Sequence, residues 1–412
     1  MDFKIRTQTN GSIIVLLISL SALAPGTFAQ SVVAPLSPSP AVAATNSTGT
    51  KSTGVSALGT SFSDLRWGPI NFHPHVAYRY LYGDGIQASP GDPKKTAIQT
   101  FSPGLLAELG TRWTIDFTPT WTYYSSSAFR NSVNQTGQVN WNTKYEDWTL
   151  SAGQTYSKSD SPTVETGRQT QQTSYVSSFS ALYALNSRYA LQTALSQNLN
   201  FTEGYTNTRT WSAGETLIRQ ISARLNTGLG ATYSYTAIDR TPDMASLQFM
   251  GNLNWRVTDQ LNFALQAGLE KRHIYNQAGD SKQNPVYSGT IQYTPTETTQ
   301  LGFTASRSSS ASFFDSQIVE STSYGLSLNQ RLLKRLQFSA SLGHHESKYT
   351  ATQTSATSGR SDKSDSLNLG LHTTFFTRMS TGISYQYSHN LSNTSGFGFS
   401  SSQVGLDISA SF

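Results

Sequence analysis

Along most of the chain every second residue is aromatic or aliphatic, and the residues between are small or polar. The clearest stretch is Trp113, Ile115, Phe117, Pro119, Trp121 and Tyr123, interleaved with Thr114, Asp116, Thr118, Thr120 and Thr122. A period of two belongs to a strand with one apolar and one wet face; a helix would repeat near 3.6. The same alternation runs through Tyr189 to Phe201, Leu247 to Val257, Leu261 to Leu269 and Leu367 to Phe375. Counting from Pro69 onward gives about 18 such segments.

The connections alternate in length. Eight are brief, around Thr111, Glu146, Ser187, Ile221, Asp259, Glu297, Lys334 and Arg378, and most of the others are longer. The longest are expected near 83–95, 157–172, 271–284 and 346–363, where Ser, Thr, Gly, Lys and Asp accumulate. Short turns on one side and long loops on the other describe an outer-membrane barrel, and an even strand count puts both of its termini in the periplasm. The sheet must also close on itself, because an unpaired backbone group in hydrocarbon costs several kcal/mol. The predicted fold is therefore all-β, a transmembrane antiparallel up-and-down barrel.

Aromatics fall where two membrane interfaces would lie: Trp113, Trp148, Tyr189 and Trp255 beside short turns, and Tyr123, Tyr233, Tyr235 and Tyr387 beside long connections. These predict two girdles. The opposite face carries Arg79, Asp116, Arg224, Arg256, Glu270, Arg331, His372 and Asp407 among many Asn, Gln and Ser, which predicts a polar lumen with both signs of charge. At about 18 strands side chains alone do not fill a barrel, so an aqueous channel is expected.

The two ends of the chain add a route to the membrane. Lys4 and Arg6 precede an apolar run from Ile13 to Ala24, followed by Thr27-Phe28-Ala29. A run of about 12 residues is short for a spanning helix and fits a signal peptide over 1–29, cut before Gln30. Residues 30–68, rich in Ala, Ser, Thr and Pro, read as a flexible periplasmic tether, and 69–412 as the barrel. The final strand alternates Val404, Leu406, Ile408 and Ala410 and stops on Phe412. Val404, Leu406, Ile408 and Phe412 thus read as a C-terminal assembly signal for the barrel-assembly machinery.

Composition narrows the chemistry. Only 13% of residues are charged, mean hydropathy is −0.37, and there is no cysteine. A soluble domain usually carries about a quarter charged residues. The missing cysteines exclude disulfides, thiolate metal sites and a lipid-modified N-terminal cysteine. The net charge of +5 is too diffuse to suggest nucleic acid. Seven histidines do not form a convincing metal or catalytic set. His73 and His75 could share a face, but Pro74 lies between them at the start of a strand. No cofactor, metal or enzymatic role is expected.

The stretches Arg66-Trp67-Gly68-Pro69, Tyr82-Gly83-Asp84-Gly85, Ser102-Pro103-Gly104, Tyr145-Glu146-Asp147-Trp148 and Asn254-Trp255-Arg256 resemble a family of bacterial outer-membrane β-barrel porins. Its members include barrels associated with exopolysaccharide clusters. The resemblance spans roughly 66–412 and brings no catalytic residues. Together these features predict a Gram-negative outer-membrane channel, surrounded by outer-membrane lipid, for passive passage of small hydrophilic solutes, with oligosaccharides or exopolysaccharide as candidate cargo. A structural or adhesive barrel closed by its own loops is the alternative, and an outer-membrane hydrolase a more distant one.

Overall fold

A computed structural model of the protein describes residues 65–275, 282–352, 359–375 and 378–412. The predicted signal peptide and nearly all of the predicted tether lie outside these residues.

A three-residue strand, β1 (Leu65–Trp67), turns through Gly68 onto β2 (Ile70–Ser89). There follow β3 (Asp92–Leu109), β4 (Trp113–Tyr124), β5 (Ser132–Tyr145), β6 (Trp148–Pro162), β7 (Gln169–Ala184), β8 (Tyr189–Thr202), β9 (Thr208–Ser222) and β10 (Leu225–Ile238). The second half comprises β11 (Met244–Arg256), β12 (Leu261–Ile274), β13 (Lys282–Thr296), β14 (Thr299–Ala311), β15 (Gln317–Leu332), β16 (Leu336–Ala351), β17 (Ser361–Phe375), β18 (Met379–Ser392) and β19 (Phe399–Ser411). Each strand from β2 to β18 pairs antiparallel with the next, and β19 pairs with β2, so 18 of the 19 strands form a closed ring. Every edge is thereby removed, as a hydrocarbon surrounding requires.

The ring seals where the chain's two ends meet. Ser411 stands opposite His75, and the Phe412 N–H donates to the Pro74 carbonyl at 2.9 Å. Beyond that point β1 takes over from β19, pairing Leu65 with Phe72 and Trp67 with Ile70. The predicted alternation appears directly in exposure. On β4, Trp113, Ile115, Phe117 and Tyr123 lie on the outer surface, 40–52% exposed, while Thr122 is buried inside. On β19, Val404, Leu406 and Ile408 face outward and Gln403 is buried inward.

The connections differ from the sequence expectation at the loop end. β2 runs to Ser89 and β3 begins at Asp92, so the loop expected over 83–95 is mostly hairpin. Likewise β6 reaches Pro162 and β7 starts at Gln169, within the expected 157–172 loop. Above the apolar belt neither strand face needs hydrophobic residues, so the chain keeps its ladder while losing the alternation that marks it. Between Gly83 and Ile86 the β2–β3 register shifts by a bulge, with Gly85 at φ +78° and a Cβ there 1.9 Å from the Ser400 carbonyl oxygen. Only glycine fits, and the bulge turns Ile86 into the interior, where it is completely buried.

Candidate functional site

The interior has two levels. Toward the turn end many of the inward-facing side chains are amides, and Gln138, Asn262, Gln292, Gln300 and Gln337 among them are open to solvent. Toward the loop end the interior is packed. Phe129, from the β4–β5 connection, lies with Leu81, Ile86 and Ile98 in a small apolar cluster inside the barrel, stacked on Tyr124 at 5.1 Å.

The β6–β7 connection, residues 163–168, crosses the interior. The Glu165 carboxylate accepts hydrogen bonds from Ser312 Oγ and the Phe313 N–H, both at 2.7 Å, in the β14–β15 connection. In the ring order seven steps separate β7 from β14 and nine separate β15 from β6, so this contact spans close to a full diameter. Arg360, between β16 and β17, donates to the Glu165 carbonyl at 2.8 Å and the Val164 carbonyl at 3.2 Å. The same guanidinium pairs with Asp362 at 2.6 Å and is sandwiched between the rings of Tyr349, at 4.7 Å, and Phe397, at 3.7 Å. A cation between two aromatic faces gains from both ring quadrupoles. A second tie joins Thr206, between β8 and β9, to Asp315 and to the Phe313 carbonyl. The loop end is thus bridged by an ordered network.

Burial pushes the Glu165 carboxyl above the usual carboxylate range, against the pull of its hydrogen bonds and of Arg360. Burial favours the protonated form, so the bridge is tightest below the ordinary glutamate value of about 4.3 and weakens as pH rises through the raised value. Single-channel recording should therefore show less time open as pH is lowered through that window. Glu165→Gln, which keeps the acceptor oxygen but cannot ionise, should abolish the dependence; an unchanged pH profile in that variant would reject the role given to Glu165.

The residues singled out in the sequence are distributed through the ring. Arg79 faces inward opposite Asp407 and pairs with it at 3.0 Å. Asp116 accepts from Thr118 at 3.1 Å, and Thr118 in turn meets His75 at 3.0 Å. Glu270 is buried, accepting from Gln248 at 2.7 Å and pairing with Arg272. Arg256 and Arg331 point inward near the turn end, and His372 lies over Gly382, where a Cβ would come within 2.1 Å of its ring. Arg224 sits in the β9–β10 turn rather than on the wall and pairs with Asp259 at 3.2 Å. Among the aromatics, Trp113, Tyr123, Trp148, Tyr233, Trp255 and Tyr387 are exposed on the outer surface. Tyr189 and Tyr235 share that face, Tyr189 under Arg219 at 5.7 Å and Tyr235 stacked with Trp211 at 6.2 Å. His73 lies 3.6 Å from Glu108. Among the described residues no three His, Asp or Glu side chains converge as metal ligands.

Sequence reasoning missed the bridge: Glu165, Ser312, Phe313, Arg360 and Asp362. Its only trace is the pair Phe313-Phe314 inside an otherwise Ser-rich connection, two adjacent aromatics that a solvent-facing loop has no use for. Arg272 was also missed, although it sits two residues beyond Glu270 on the same face.

A closed antiparallel ring with an apolar outer surface and a polar interior defines a transmembrane β-barrel. No protein-family model matches the chain, and no curated protein matches it. Among solved structures it is similar to the outer membrane protein OpdK from Pseudomonas aeruginosa, at 12% identity and a TM-score of 0.46, over 83% of this chain and 99% of that one. It is also similar to Pseudomonas aeruginosa OccK2 (OpdF) in complex with glucuronate, at 11% identity and 0.47, over 83% and 98%. Acinetobacter baumannii OccAB3 matches at 12% identity and 0.44, over 83% and 99%.

Proposed function

We propose that the protein is a passive outer-membrane channel for small hydrophilic solutes, narrowed at its outer mouth by the β6–β7 bridge. The observation behind this reading is the solvent-exposed amide wall below the bridge, in a ring too wide for its own side chains to fill. In this orientation the short turns and both barrel ends face the periplasm, after export directed by residues 1–29. The outward aromatics form the two interfacial girdles, and the β19 strand ending on Phe412 engages the barrel-assembly machinery. The inward Arg79, Asp116, Arg256, Glu270, Arg331, His372 and Asp407 belong to the lumen wall. Uncharged donors and acceptors dominate that wall, which favours neutral glycans, including oligosaccharide or exopolysaccharide fragments, as cargo.

Several of the wall charges are paired: Arg79 with Asp407, and Arg272 with Glu270. Reconstituted protein should therefore conduct ions with weak charge selectivity, and added oligosaccharide should produce transient blocks. A permanently silent, well-folded barrel would instead favour a second reading, a structural barrel with a sealed lumen, for which the bridge itself speaks.

A further inference from the structure

At mid-height on β10 to β19 the outward side chains are apolar, as at Leu253 and Leu265, Leu326 and Leu342, or Leu369 and Ile383. The flank formed by β6 to β9 breaks this rule. Gln154, Ser177 and Gln197 stand side by side on three neighbouring strands, facing outward. Beneath them Thr193 stands opposite Glu215, between the outward, exposed Leu195 and Leu217. Glu215 lies four residues from Trp211 and four from Arg219, about 13 Å along the strand from each.

These groups are incompletely satisfied. Ser177 donates to Gln154 at 2.5 Å and Thr193 to one Glu215 oxygen at 2.7 Å. Among the described residues the other Glu215 oxygen has no donor and the Gln197 amide has no partner. Acyl chains offer nothing to either, and a carboxylate with an unmet oxygen in hydrocarbon is strongly disfavoured. Lipid is the wrong neighbour for this face.

We propose that the β6–β9 flank is the interface through which two copies of this chain associate in the membrane. The inference rests on the membrane-spanning reading above. The face is complementary to itself. The donors that Glu215 lacks are primary amides, and Gln154 and Gln197 supply them. Their heights agree as well. Gln154 is six residues above Trp148, the first residue of β6, whereas its row-mate Gln197 is eight above Tyr189, the first of β8. With strands tilted about 40°, the row climbs roughly 3 Å per strand. It reaches Trp211 on β9 about 9 Å above Gln154, and Glu215, four residues below Trp211, returns to the depth of Gln154. A two-fold axis along the membrane normal beside β7 and β8 then sets Gln154 of each copy against Glu215 of the other, with Ser177 and Gln197 close to the axis. Four strands about 4.8 Å apart in a belt about 25 Å tall offer on the order of 500 Å² per copy, about 1,000 Å² in total, the lower bound for a specific interface.

The chain's lack of cysteine makes the test clean. Full-length protein inserted in bilayers should bleach in two steps when singly labelled. Ser177→Cys should form a disulfide-linked dimer under mild oxidation, and Leu265→Cys, on β12, three strands beyond the flank, should not. Combining Gln154→Leu, Gln197→Leu and Glu215→Leu should give single-step bleaching with heat-modifiable gel mobility retained. Single-step bleaching of the unaltered protein, crosslinking at position 265 in place of 177, or a dimer surviving the triple change would each overturn the proposal. Should the triple variant not fold, the two cysteine variants decide. Absence of heat-modifiable insertion in the unaltered protein would instead count against the membrane-spanning reading.

Discussion

Replacing Leu265 or Leu253 with arginine is expected to lower the unfolding free energy of the bilayer-inserted protein by roughly 2 to 4 kcal/mol, the range for a cation on the lipid face near the midplane. The two leucines stand directly opposite each other on β12 and β11, between the exposed, outward Phe249, Leu269 and Trp255. Their sequence neighbours Gln266 and Asn254 point the other way, and arginine at either one enters a wet, hydrogen-bonding interior. Denaturant titrations of the four variants in lipid should therefore separate into two pairs. If the pairs were indistinguishable, or reversed, the inward and outward faces of β11 and β12 would be wrongly assigned, because a slip of one residue exchanges every side chain between lipid and lumen.

Arg360→Ala should have the largest effect on conduction. The guanidinium holds two carbonyls of the crossing segment, pairs with buried Asp362 and fills the gap between Tyr349 and Phe397. Removing one partner of a buried charge pair costs about 3 to 5 kcal/mol. Since about 1.4 kcal/mol is a tenfold change in an equilibrium, the ratio of open to bridged states should rise by about a hundredfold or more. The wall ladders are untouched, so barrel stability should hardly change. Arg360→Lys should fall close to alanine, because an ammonium lacks the planar fork that reaches Val164, Glu165 and Asp362 together. Current traces of Arg360→Ala that match the unaltered protein would mean that the segment does not obstruct the path.

How much of this was legible beforehand varied with depth in the membrane. Between the girdles each residue of Trp113–Tyr123 has only two possible surroundings, lipid or interior, so alternation reports the strand, its faces and its place in the ring. Above the girdles that contrast vanishes. Ser157 to Pro162 continues β6 without any apolar period, and the loops expected there are mostly strand.

The bridge was illegible for a different reason. Glu165, Ser312 and Arg360 come from three separate hairpins, and no local pattern ties a Ser-rich connection to one on the opposite side of the barrel. The polar flank lies between these cases. Gln154, Ser177, Gln197 and Glu215 are each unremarkable in a strand that alternates imperfectly, and only the register brings them onto one outward face.

What the sequence determined by itself, then, is the closed antiparallel barrel and its strand number, because these follow from a period of two acting strand by strand in an apolar solvent. The tertiary structure decided what meets across the ring: the buried Glu165 contact, the Arg360 sandwich, the Arg79–Asp407 pair at the seam and the juxtaposed polar residues of β6 to β9. Those contacts depend on closure, shear and the path of loops through space, which bring together residues far apart in the chain and leave no mark in any local window.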